Sequence, residues 1–218
     1  MRCRGQKIAY FLETEHGIEL SVPKIYEILA ERYVIRSKWK KNKVRGPMPE
    51  AFAPREVIEM DTIDFGSVFA FTAVDIFSRE ADVLIRPRLT AKDGLAFLEA
   101  CMERRFDNRV QLIQTDTNAR LRAWGGSESE AEFAESVGNY CDRHRISRPY
   151  KKNEQAHIES FNRTVRKECL GWHKYKPEEI PQMTHEVEVF LTRYHYYRPH
   201  TAFDPMRPSL TCDQEINA

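Results

Sequence analysis

The chain has almost no excess of either charge. Lys and Arg number 34 against 33 Asp and Glu, a formal net charge of +1, and the sequence pI is near 7.7. This excludes a uniformly basic nucleic-acid binder, so any attraction to phosphate has to come from local clusters. No apolar run approaches the roughly 20 residues of a membrane-spanning helix, and there is no signal peptide, so a soluble cytoplasmic protein is expected. Cysteine is sparse. Cys3, Cys101, Cys141, Cys169 and Cys212 are scattered, odd in number and without a C-x-x-C pair. That predicts reduced, mostly buried thiols and argues against a disulfide framework or zinc site. Repeats and low-complexity stretches are missing too, while a hydrophobic fraction of 41% is enough for a sizeable core.

At 218 residues, one catalytic domain of ordinary size with a small appendage fits. Residues 6–33 read as two helices. Ile8, Phe11 and Leu12 mark the first, which His16-Gly17 can end; Ser21 caps the second, with Pro23 in its first turn and Val22, Ile25, Ile28 and Leu29 at helical spacing. The pair is compatible with a helix-turn-helix or with any small helical hairpin. From Arg36 to Arg45 come Arg36, Lys38, Lys40, Lys41, Lys43 and Arg45 with no acidic residue, a run suited either to a solvated tether or to phosphate contact. Gly46-Pro47-Met48-Pro49 and Pro54 mark a boundary. The divisions expected are a helical segment with basic linker over 1–45, a Pro-rich linker over 46–55, a core over 56–200 and a tail over 201–218.

The core opens with three predicted strands: Glu59 to Phe65, Val68 to Ile76 after the Gly66 turn, and Ala81 to Arg86. Thr90 and Asp93 predict a capped helix start, running to about Phe106 with Leu95, Leu98 and Met102 inward. Val110 to Thr115 is a fourth strand closing on Asp116. A helix from about Ser129 to His144 is expected next, with Cys141 and His144 on one of its faces, then a short strand at Ile146. Ile158, Phe161 and Val165 form the apolar stripe of another helix, which turns Glu159, Asn162, Arg163 and Arg166 onto a neighbouring face. Pro181 opens a last helix buried through Met183, Val187, Phe190, Leu191 and Tyr194. The order predicts an α/β fold with a mixed five-stranded sheet flanked by helices.

Asp61 and Asp116 each sit at a strand end, and Glu159 sits on a helix. Alone, such residues are turn starters or members of surface pairs. Five short motifs in order carry more: Met60-Asp61-Thr62, Val74-Asp75-Ile76-Phe77-Ser78-Arg79, Gln114-Thr115-Asp116, Ile158-Glu159-Ser160-Phe161-Asn162-Arg163-Thr164 with Arg166-Lys167-Glu168, and Tyr196-Tyr197-Arg198-Pro199-His200. In these the chain resembles the DDE-type insertion-sequence transposases and integrases with a retroviral-integrase-like core. It departs from their pattern at Thr117-Asn118-Ala119 and Gln155-Ala156, where the family carries Asn-Gly.

The resemblance implies a ribonuclease-H-like sheet and DNA transposition or integration by metal-dependent phosphodiester cleavage and strand transfer. It implies that Asp61, Asp116 and Glu159 are the catalytic carboxylates, holding two Mg2+ or Mn2+ ions with Asp61 between them. Hard cations suit carboxylate oxygens, and three converging carboxylates repel one another without them. DNA is the implied partner, met by Lys38, Lys40, Lys41 and Lys43 in the linker and by Asn162, Arg163, Arg166 and Lys167 on the helix. A homo-oligomer on DNA in a bacterial cytoplasm, nucleoid-associated when bound, is expected. Asp64 should point away from Asp61, and Asp75 should pair with Arg79. The rival readings are a DNA-binding remnant without catalysis and a simple metal-dependent nuclease on the same fold.

Overall fold

The computed structural model describes residues 5–31, 48–115, 133, 135–147, 153–203 and 206–210. Asp116, the linker lysines Lys38, Lys40, Lys41 and Lys43, and the Thr117-Asn118-Ala119 turn lie outside the described residues. The chain divides into two units.

One unit holds the two N-terminal helices, α1 (Gly5–His16) and α2 (Val22–Ala30), together with residues 198–208. Gly17, at φ 64°, ends α1 with a backbone that side chains resist. Ser21 caps α2 by accepting from the Lys24 N–H at 3.4 Å, and the α2 ring of Tyr26 reaches α1, where its hydroxyl accepts from the Gly5 N–H at 3.1 Å. In the C-terminal segment the His200 N–H donates to the Arg207 carbonyl at 2.9 Å, so buried His200 closes a turn.

The other unit is built on a five-stranded sheet in the order β3-β2-β1-β4-β5. Its strands are β1 (Val57–Asp64), β2 (Phe69–Asp75), β3 (Ala81–Arg86), β4 (Val110–Thr115) and β5 (Cys141–Ile146). β1, β2 and β3 form an antiparallel meander, whereas β4 runs parallel to β1 and β5 parallel to β4. Alternation along β1 assigns its two faces. Ile58 and Met60 join Phe97, Leu98, Cys101 and Met102 of α3 (Ala91–Arg105) in one core layer. Ile63 and Phe65 join Ile158, Phe161 and Val165 of α4 (Ala156–Val165) and Met183, Val187 and Phe190 of α5 (Ile180–Tyr196) in the other. The Phe161 ring stands edge-on to Tyr194, with centroids 5.1 Å apart, and so fixes α4 against α5. The Thr90 cap of α3 forms as its sequence suggests, accepting from the Asp93 N–H at 3.1 Å.

Three expectations need correction. Cys141 and His144 lie on β5, not on a helix. Helix is found at 133 and 135–138, and a turn follows at 139–140. β5 is an edge strand exposed at Asp142, Arg143, Arg145 and Ile146, so it carries no apolar alternation to reveal it. Asp75 pairs with Arg55 (3.3 Å) and accepts from the Arg55, Phe77 and Ser78 N–H groups, while Arg79 turns to His157. Finally, the regular turns of α4 end at Val165, so Arg166, expected on the same helix face as Glu159 and Asn162, lies where Arg166–Leu170 widens into a π turn that Gly171 ends at φ 74°. Cys101 and Cys141 are buried free thiols, as expected, and Cys169 is half-buried.

His195, on α5, is 1% exposed, and its Nε2 accepts from the Ala81 N–H at 3.0 Å. The bond requires a neutral ring; burial, helped by Arg105, pushes its pKa down to about 3. A folded pKa below the unfolded value near 6.5 means stability present above pH ~6.5 and lost progressively as pH falls toward 3. In urea unfolding, the stability gap between the parent and His195→Gln should therefore shrink by about 2 to 3 kcal/mol from pH 7.5 to pH 4.5. A gap independent of pH would contradict a neutral buried His195.

Candidate active site

Asp61 is the fifth residue of β1, half-buried and facing α4. Its Oδ2 accepts from the Asn162 side-chain amide at 2.7 Å. Asn162 in turn accepts from Thr72 Oγ1 at 2.8 Å, and Thr72 is the residue registered opposite Asp61 on β2. One amide therefore spans the sheet and helix, orienting the carboxylate from above. The strand's period of two turns Asp64 to the other face, where its Oδ1 accepts from the Gly66 N–H at 2.7 Å, as expected.

Two residues before Asp61, on the same face of β1, Glu59 is fully buried and its Oε2 accepts from the Ile158 N–H at 2.7 Å. Ile158 lies in the first turn of α4, whose N-cap Gln155 supplies no side-chain cap. Glu59 thus takes up N-terminal donors of the helix from across the sheet, where the helix dipole favours a negative charge. Burial nonetheless pushes its carboxyl up to about 7; the Ile158 and His157 N–H groups and Arg79 oppose that rise, and the nearby Glu159 carboxylate adds to it. His157 pins the same turn. Its Nε2 hydrogen donates to the Pro49 carbonyl at 3.0 Å, which leaves Nδ1 to accept from Arg79. Burial and the Arg79 charge lower its pKa, in keeping with that neutral tautomer. Gln114 of β4 donates to the Glu154 carbonyl just before the helix.

Glu159 is exposed and lies between the two tie points, one residue after Ile158 and within one turn, about 5.4 Å of rise, of Asn162. No ion pair among the described residues includes it. The parallel pairing of β1 with β4 runs as far as Met60↔Thr115, one residue short of both Asp61 and Asp116. Carboxylate oxygens are the hard, anionic kind of donor that divalent cations take. Among the described residues there is no group of three or more His, Cys, Asp or Glu side chains able to hold one, and the third expected carboxylate, Asp116, is not described.

The helix residues expected to meet DNA are placed differently from one another. Arg163 and Lys167 are exposed, and Asn162 is engaged with Asp61 and Thr72. Arg166 is half-buried, donates to the Asp64 carbonyl at 2.8 Å and stacks on Phe65 at 4.6 Å from the ring centre. Reading the sequence alone missed Glu59. Its signal was a carboxylate sharing a strand face with Asp61 on the side covered by an uncapped helix.

Residues 140–208 match the family model described as Integrase core domain, a segment that contains β5, α4 with Glu159, and α5. The fold resembles a chain in the cryo-EM structure of the simian T-cell lymphotropic virus intasome in complex with PP2A regulatory subunit B56 gamma. That alignment has a TM-score of 0.59 and 18% identity over 94% of this chain and 72% of that one. The likeness is one of fold, and the family model matches the C-terminal part of the chain. The crystal structure of the BIV integrase catalytic core domain, form I, aligns with a TM-score of 0.48 and 14% identity, over 74% of this chain and 93% of that one. No curated protein sequence matches the chain. Among the described residues no helix is long and apolar enough to cross a membrane.

Asn162→Ala should destabilise the metal-free core by about 1 to 3 kcal/mol, because it removes the charge-assisted bond to the Asp61 carboxylate and the bond from buried Thr72, which keeps only the Asp61 carbonyl as acceptor. Its exposed neighbour provides the control: Arg163→Ala should stay within about 0.5 kcal/mol of the parent. Equal effects in urea unfolding would contradict the bridging role given to Asn162.

Proposed function

We propose that this chain is the core of a DDE-type DNA transposase or integrase, cleaving and joining DNA phosphodiesters with the help of divalent cations. The observation that carries the reading is the attachment of the Glu159 helix to the Asp61 strand through Asn162 and Glu59. It sets two carboxylates on facing elements of an integrase-like fold. Asp61, Asp116 and Glu159 would hold Mg2+ or Mn2+, and two such ions supply an activated oxygen nucleophile, stabilisation of the leaving oxygen and neutralisation of phosphate charge. Around them the chain's own residues orient and bind. Asn162 keeps one Asp61 oxygen engaged and so aims the other, Glu59 fixes the height of Glu159 above the sheet, and Arg163, Arg166 and Lys167 meet the DNA backbone. Lys38, Lys40, Lys41 and Lys43 add phosphate contacts from the linker, and the helical N-terminal unit adds a second DNA contact. Assembly as a homo-oligomer on DNA ends goes with this reading.

Metal linkage tests it. A cation that binds only the native state stabilises by about 2.7 kcal/mol at roughly a hundred times its dissociation constant. Asp61→Asn should melt at or above the parent's temperature without metal, having shed one repelling charge, yet lose most of the gain on adding Mg2+ or Mn2+. It should also abolish the nicking that the parent performs on a DNA substrate. A parent whose melting temperature ignores both cations, with DNA present, would favour the reading as a catalytically silent DNA-binding protein.

The linker gives a separate expectation. Replacing Lys38, Lys40, Lys41 and Lys43 by Gln should weaken duplex binding and reduce the slope of log K against log salt by about 0.9 for each phosphate no longer neutralised. Unchanged affinity and slope across a salt titration would make the run a solvated tether.

A further inference from the structure

Trp172 is 67% exposed, an unusual place for the largest apolar side chain, and its loop is tied to the core by hydrogen bonds. Gly171 begins the loop at φ 74°. Tyr175 closes it twice, its N–H donating to the Phe65 carbonyl at 2.9 Å and its hydroxyl donating to the Leu170 carbonyl at 2.7 Å. Its ring stands edge-on to Phe65, with centroids 5.6 Å apart, so the loop is fastened to the end of β1. The indole is therefore held out to solvent on a fixed mount.

Behind the indole lies Arg166. Its guanidinium sits 4.9 Å from the centre of the Trp172 ring and 4.6 Å from that of Phe65, and it is anchored by the bond to the Asp64 carbonyl. Stacking fixes the plane of both groups, which lowers the entropy cost when a further flat group joins the stack. The same side chains line an open cleft of about 620 Å³, whose walls include Thr62, Asp64, Asn162, Arg166, Trp172 and Lys174. Asn162 is the residue that holds Asp61, so the cleft opens one side chain away from the carboxylate that acts on phosphate in the proposed function. Two cations and one carboxylate among its charged lining residues leave a positive balance.

A flat exposed ring, a stacked guanidinium and a lysine suit a nucleotide: the ring matches a base face and the cations match its phosphates. A base inside a duplex already has both faces covered, so the occupant is unpaired. We propose that Trp172 stacks on an unpaired base of the DNA strand processed at Asp61, with Arg166 and Lys174 meeting that nucleotide's phosphates. The proposal rests on the DNA-processing reading and adds to it a subsite for a frayed or single-stranded end.

The test compares the full chain with Trp172→Ala and Trp172→Phe on two duplexes of one sequence. One is blunt, and the other carries a short unpaired 3′ end bearing 2-aminopurine. The parent should quench the 2-aminopurine fluorescence on binding. Trp172→Ala should remove the quench and weaken binding to the unpaired end about fivefold or more, leaving blunt-duplex affinity unchanged, and Trp172→Phe should restore most of both signals. Because Trp172 is exposed, all three proteins should share one circular dichroism spectrum and melting temperature. Parent-like quenching and affinity in Trp172→Ala, or no quenching by a parent that binds, would overturn the subsite and leave the DNA reading standing. A parent that binds neither duplex would overturn both.

Discussion

The attachment of α4 to β1 is the constraint on which the rest of the site depends. A hydrogen bond to a charged group contributes about 1.5 to 3 kcal/mol, and here two such bonds, from the Ile158 N–H to Glu59 and from Asn162 to Asp61, join a helix to a strand at neighbouring points. Both carboxylates lie on the face of β1 that also presents Ile63 and Phe65 to the core shared with α4 and α5. The polar and apolar parts of that face act together: hydrophobic packing brings the helix down, and the two carboxylates set its height and rotation. Glu59 carries a cost for this, since burial opposes its charge and its Oε1 has no hydrogen-bond partner among the described residues. A plain apolar contact there would pack the helix without fixing which residue lies over Asp61.

Much of the frame was legible because its signals are local. The β1–β3 meander follows from alternation and a Gly66 turn, the α3 start from Thr90 and Asp93, and the α4 and α5 stripes from helical spacing that reappears as buried residues. Pairing partners were less legible. β5 is recognisable only through its parallel ladder to β4, since Cys141-Asp142-Arg143-His144-Arg145-Ile146 has no alternating apolar face. Asp75 could choose among several arginines, and the choice of Arg55 depends on a backbone approach that brings its N–H to the same carboxylate. Asn162 was expected to face DNA because helical spacing groups it with Arg163 and Arg166, but spacing gives a face and not a partner. The hydrogen bond to Asp61 comes from sheet register and interlayer packing together.

Sequence and fold converge on different parts of the site. The family match covers β5, α4 with Glu159, and α5, and the strand bearing Asp61 lies outside it. The hydrogen bonds from Asn162 and Ile158 connect the two parts in space. Local charge matters as well: a chain with net charge near zero can still gather cations on one exposed surface. Arg163 and Lys167 do so on the exposed side of the Glu159 helix and its continuation, while Arg166 stacks on aromatic rings beside the cleft next to Asp61.

If the proposed chemistry holds, Asp61 and Glu159 share a divalent cation. The most direct measurement is a Mn2+-soaked crystal with anomalous difference density. The expected result is a peak about 2 to 2.3 Å from a carboxylate oxygen of each residue, with Asn162 still bonded to Asp61. An ordered Asp61 and Glu159 with no peak between them, or a Mn2+ ion held only elsewhere on the chain, would contradict it.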